Sequence, residues 1–171
     1  QIRYNSTNNQ FEGYENSAWR NLRYAEPFPA GIVQQSLGNG DATAVCFGPL
    51  ASGDASQPAP AAAQNVLVLV ENVFQLATTN YTLVQNPSAA TGSGSEVTAG
   101  SFSVSTEYKI VTVGTTDFTA IGASANTVDV VFTATGVGTG NGTARATGYY
   151  LVFTSAPDAG KPVTAIHNFD K

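Results

Sequence analysis

Apolar positions in this chain come in short bursts, separated by Asn, Ser, Thr, Gly and Pro, and most bursts have the length and β-branched content of strands. Ile2–Asn5 and Gln10–Tyr14 flank the run Asn5-Ser6-Thr7-Asn8-Asn9. Asn tolerates left-handed backbone and closes local turns, so the pattern predicts a hairpin, then a short strand over Ala18–Leu22. Asp41–Phe47 alternates and predicts a strand with Val45 and Phe47 on one face and Cys46 on the other. Asn65–Glu71 (NVLVLVE) is continuous and β-branched, which predicts a strand buried on both faces. Tyr81–Val84 follows the polar turn Ala77–Asn80. Tyr108–Val113 and Val128–Thr133 add two strands. Tyr149–Thr154 and Val163–His167 add a further pair, joined by the Pro/Gly turn Ser155–Pro162. No helix longer than two turns is predicted; Ala59–Gln64 has the composition for one turn. The fold class expected is all-β, with small β-sandwich-like modules, an N-terminal hairpin and an inserted β subdomain.

Punctuation between the strands suggests the organisation. Residues 1–24 form an aromatic N-terminal segment, and 25–64 an irregular connector broken by Pro27 and Pro29, ending in the Ala/Ser/Pro-rich stretch Ala51–Gln64. Residues 65–86 and 149–171 form a discontinuous β module. Residues 87–148 are read as an insertion into it, in which Pro87–Gly100 and Gly136–Gly148 act as Gly/Ser/Thr-rich joints around Ser101–Thr135. The competing arrangement is one continuous sheet with long loops, because ~35 residues is below the size that folds unaided.

Composition narrows the function classes. The 171 residues carry a net charge of −5, and only 11% are charged, while 42% are hydrophobic. That allows a core and gives a polar-neutral surface. No apolar run approaches ~18 residues, so no transmembrane helix is expected. From Tyr24 to Tyr108 there is no Lys or Arg but six acids, which repels phosphate and argues against nucleic-acid binding. Arg3, Arg20 and Arg23 are too few for a basic arm. The chain begins at Gln1 and contains no Met, so a processed product or a piece of a longer chain is expected.

Candidate chemistry is sparse. A single Cys excludes a disulfide framework and a Cys-based zinc site, and a single His excludes multi-histidine metal sites. His167 is the one possible triad base, but it lies in an alternating strand and no G-x-S-x-G elbow accompanies it. Cys46 has no adjacent cation to lower its pKa and reads as a small buried hydrophobe. Glu12, Glu15, Asp117 and Asp129 could supply a carboxylate pair, without a specific spacing. Asp41 follows Gly38-Asn39-Gly40 without the alternating ligands of a calcium loop. The glycine run 136–142 opens no helix that could cradle phosphate. Asn5, Asn80 and Asn141 head N-x-[ST] triplets, which a chain this rich in Asn and Thr produces by chance. No catalytic residue, cofactor or metal is therefore expected.

Two stretches go further. Ile2-Arg3-Tyr4-Asn5, then Phe11-Glu12-Gly13-Tyr14 and Trp19, resembles a motif of bacteriophage tail-fibre and other virion proteins. NVLVLVENVFQLATTNYTLV with YYLVFTSAPDAGKPVTAIHNF is similar to a small β module repeated in phage tail fibres, and YKIVTVGTTDFTAIGASANTVDVVFTATGVGTGNGTA resembles a segment of phage structural proteins. In related modules the two halves follow closely, so the interruption here is a departure. The resemblance implies a virion location and assembly as a homotrimer, with other virion proteins as partners. It also implies loops able to contact a host-surface glycan or receptor. Tyr4, Phe11, Tyr14 and Trp19 are the expected subunit interface, because aromatics dominate interface cores. The alternatives are a capsid-attached fibre or decoration protein, and a cell-surface carbohydrate-binding or adhesin module in which Trp19 and Tyr24 stack on sugars.

Overall fold

The computed structural model describes residues 1–7, 10–15, 17–21, 32–51 and 62–168. They form an all-β protein with four antiparallel sheets. The chain divides into two compact units, 1–31 and 32–171.

The first unit is a three-stranded meander: β1 (Ile2–Asn5), β2 (Gln10–Glu15) and β3 (Ala18–Asn21). Tyr4 lies opposite Phe11, and Tyr14 opposite Trp19. The expected hairpin and third strand are in place; Leu22 and Tyr24 lie outside the described residues.

In the second unit the strands run β4 (Val33–Asn39), β5 (Cys46–Phe47), β6 (Leu67–Val70), β7 (Val73–Gln75) and β8 (Tyr81–Gln85). They continue with β9 (Val97–Thr98), β10 (Glu107–Thr112), β11 (Val131–Thr133), β12 (Thr143–Ala146), β13 (Tyr149–Phe153) and β14 (Pro162–His167). Sheets β5-β13-β8 and β4-β14-β6-β7 face each other across one core. Phe47, Tyr81, Leu151 and Phe153 fill it from one side, and Val68, Val163 and Ala165 from the other. The Tyr81 hydroxyl enters this apolar layer because it donates to the Ala63 and Val66 carbonyls. A second core lies under the sheet β11-β10-β12-β9, where Phe102, Tyr108, Phe118 and Phe132 pack ring against ring at 5.0–6.0 Å.

Several local expectations change. Asp41–Phe47 pairs as a strand only over Cys46–Phe47, because Asp41 Oδ1 accepts from the Thr43 and Ala44 amides and holds a turn. Residues 59–61 of the expected helical turn lie outside the described residues; a 3₁₀ turn spans Ala63–Asn65. β6 is not covered on both faces: Val68 is fully buried, but Leu67 is 39% exposed. The segments expected as joints are built into the fold. Gly136–Gly148 contains β12, which lies between β10 and β9. Gly142 is required there, since a Cβ would meet the Phe118 ring at 2.8 Å.

Candidate assembly interface

Strand alternation gives the N-terminal sheet two chemically different faces. One carries Arg3, Asn5, Glu12, Tyr14 and Trp19. Here Arg3 Nε donates to Glu12 Oε2 at 2.7 Å, and Asn5 Nδ2 donates to Glu12 Oε1 at 2.8 Å. The Arg3 guanidinium also lies 4.1 Å from the centre of the Trp19 ring, whose edge contact to Tyr14 spans 5.2 Å. Glu12 is buried beneath these donors. Cation–π and charged contacts thus tie Arg3, Asn5, Glu12 and Trp19 together on this face.

The other face carries Ile2, Tyr4 and Phe11 as its apolar part, with Gly13 opposite Ile2 and the exposed Arg20 opposite Gly13. Tyr4 and Phe11 meet edge to face at 5.3 Å. Even so, Ile2 is 72%, Tyr4 55% and Phe11 49% exposed. The register thus separates the four expected interface residues. Tyr4 and Phe11 stand on the exposed apolar face, and Tyr14 and Trp19 on the face braced by Arg3. Tyr14 is itself half exposed.

The structure places the other candidate residues apart from one another. His167 is buried, with Nε2 3.2 Å from Gln35 Oε1. That amide oxygen also accepts from the Ala51 N–H at 2.8 Å, so assignment of the network puts a proton on Nε2. Cys46 is fully buried, and desolvation pushes its thiol pKa up, with the nearby Arg145 charge opposing the shift. Asp117 accepts from the Thr119 hydroxyl and the Asn126 amide, which hold its carboxyl below the usual range. Asp129 accepts from the Ala89 N–H at 2.9 Å and faces Lys109 Nζ at 3.4 Å. Asp41 is likewise held low, by the Ala44 amide first and then Thr43. The Glu15 backbone lies in β2 opposite Ala18. The Oδ1 atoms of Asn5, Asn80 and Asn141 accept from the Thr7, Leu76 and Thr115 amides. Among the described residues no three His, Cys, Asp or Glu side chains converge on a metal position, and no helix is long and apolar enough to cross a membrane.

Sequence reasoning missed Arg145. Its side chain, on β12, is 1% exposed and turns to the segment 88–96. Nε donates to Gly94 O at 2.8 Å, Nη1 to Ser88 O at 3.3 Å, and Nη2 to Gly92 O and the Glu96 carboxylate. Glu96 in turn accepts from the Gly94 N–H. One guanidinium therefore organises residues 88–96 against β12. Tyr150 lies nearby with its hydroxyl donating to Ala146 O at 2.6 Å, and burial pushes its pKa strongly up. The available signal was one charged residue inside the small-residue alternation Thr143-Ala144-Arg145-Ala146-Thr147.

Compared with family models, curated proteins and solved structures, the chain finds no match.

Proposed function

We propose that this chain is a non-enzymatic structural protein of a phage virion, a tail-fibre component that assembles with itself as a β-rich homotrimer. The observation that carries the assembly reading is the exposed apolar face of the N-terminal sheet, above all Ile2 and Phe11. Covering Ile2, Tyr4 and Phe11 would remove on the order of 300 Å² from water, about 7 kcal/mol gross per chain at ~25 cal/mol per Å². Association costs ~4–15 kcal/mol, so the face is useful only in a defined, cooperative assembly. A closed ring of identical copies provides one and leaves no open edge to propagate. The virion assignment is supported by the Ile2–Trp19 motif and the two β-module segments, on an all-β fold.

Native mass spectrometry of the full chain tests the assembly. Three-copy mass is expected, with Phe11→Asp shifting it to one copy. A wild-type monomer at tens of micromolar would overturn the reading. Proteomics of purified particles tests the location, and peptides of this chain absent from virions would refute it. The carbohydrate-stacking alternative has less support, because Arg3 already lies over the Trp19 ring.

A further inference from the structure

The sheet β4-β14-β6-β7 has one face in the core and a second face that water should favour only if polar. The register defines the second face. One row across the sheet reads Ser36, Thr164, Leu69, Phe74, and the next reads Gln34, Ile166, Leu67. These alternate with Val68, Val163 and Ala165, which are fully buried on the core side. The outward half formed by β6 and β7 is thus apolar, and the β4 side is polar but uncharged. Phe74 is 54% exposed and Leu67 39%, and Leu76, directly beyond β7, is 55%. Neither row contains a charged residue, in a chain whose net charge is −5.

From this we infer that the outward face of β14-β6-β7 is a second contact between copies of this chain. The inference rests on the assembly reading above and extends it to a second surface. Three features favour a copy of the chain over a foreign partner. First, the two rows carry no charge with which to select a different protein by electrostatic complementarity, and Glu71, just past β6, is already paired with Lys161 at 2.6 Å. The apolar centre and neutral rim of Gln34, Ser36 and Thr164 match their own kind.

Second, the area is small. The exposed parts of Leu67, Leu69, Phe74 and Ile166 amount to on the order of 250 Å², against ~800 Å² per partner in a stable complex. A free partner would not be held by that alone. A copy already docked through the N-terminal sheet is present at a raised effective concentration, and a small patch then suffices. The two surfaces together approach about 550 Å², much closer to what a specific interface requires.

Third, the sequence of β6, Leu67-Val68-Leu69-Val70, has the pattern of a strand covered on both faces. A single chain covers only one of them.

Sedimentation equilibrium and native mass spectrometry on the full chain test this, using wild type, Phe74→Gln, Leu67→Gln/Phe74→Gln and, as reference, Phe11→Gln. The double variant is expected to raise the concentration at which the oligomer half-dissociates by tenfold or more, while keeping the far-UV circular dichroism spectrum. A midpoint within twofold of wild type, with Phe11→Gln clearly weakened, overturns this inference and leaves the N-terminal interface standing. A wild-type chain monomeric throughout overturns both. Carbene footprinting of the wild type needs no variant. Labelling of Leu67 and Phe74 should fall at least threefold above the association midpoint, and unchanged labelling refutes the contact even if the double variant does not fold.

Discussion

Replacing Arg145 by Met removes the guanidinium and keeps most of the apolar stem. Four groups then lose a donor: the carbonyls of Ser88, Gly92 and Gly94, and the Glu96 carboxylate. Breaking a buried ion pair by removing one partner costs ~3–5 kcal/mol, because the remaining charge stays desolvated. The Glu96 side chain is 23% exposed and keeps its bonds from the Gly94 N–H, so water recovers part of that loss. The abandoned carbonyls add roughly 1 kcal/mol each where water cannot reach them. A net loss of about 3–4 kcal/mol is expected, a large fraction of the ~5–15 kcal/mol typical of a domain. In urea, with a slope of ~2 kcal/mol per M, the midpoint should fall by about 1.5–2 M. The readout should be far-UV circular dichroism, because Trp19, the only tryptophan, reports the N-terminal unit. Arg145→Met/Glu96→Gln should recover at least 1 kcal/mol, since the stranded charge is gone. Amide exchange across 88–96 should accelerate in the single variant. A midpoint within 0.3 M of wild type, with unchanged exchange in that segment, would refute the view that this guanidinium holds residues 88–96 against β12.

Other consequences are checked more simply. Tyr81→Phe strands the Val66 carbonyl under the first core and should cost about 1–2 kcal/mol in urea unfolding; a neutral result would mean that water replaces the hydroxyl. Cys46 should resist thiol reagents at pH 8 in the native protein and react only on unfolding, since it is buried and its pKa is raised; stoichiometric labelling of the folded chain would contradict the burial. Asp41 and Asp117 have folded pKa values below the ordinary carboxylate range. Their contribution is therefore present above ~3.9, the unfolded value, and lost as pH falls through the lower folded values. The melting temperature should hold from neutral pH to about 5 and decline below about 4. Asp41→Asn/Asp117→Asn should flatten that decline, and superimposable pH curves would dismiss the effect.

The elements legible in the sequence were those whose own residues impose the backbone. Ile2–Asn5 with Gln10–Tyr14, Tyr81–Val84, Tyr149–Thr154 and Val163–His167 follow from β-branched and aromatic runs bounded by Asn, Pro and Gly, and they recur within a residue or two as β1, β2, β8, β13 and β14. β4, a polar strand reading VQQSLGN, and β12, hidden in a glycine-rich stretch, carry no such pattern. They are strands because β14 and β10 present backbone partners to them. The aromatic residues of the candidate interface were visible as a cluster. Their division between two faces was not, because it depends on the register that sets Tyr4 against Phe11 and Tyr14 against Trp19.

By itself the sequence determined that this chain is β-rich, poor in charge, and holds a single Cys and a single His, because each of those follows from residue type and local periodicity. Only the tertiary structure decided that Arg145 is buried against residues 88–96 and that Glu12 lies buried beneath Arg3 and Asn5. It alone decided that Phe74 and Leu67 look outward. Burial and hydrogen-bond partnership are set by what the rest of the chain brings alongside, and residues 49 positions apart, such as Glu96 and Arg145, meet only once the sheets have assembled.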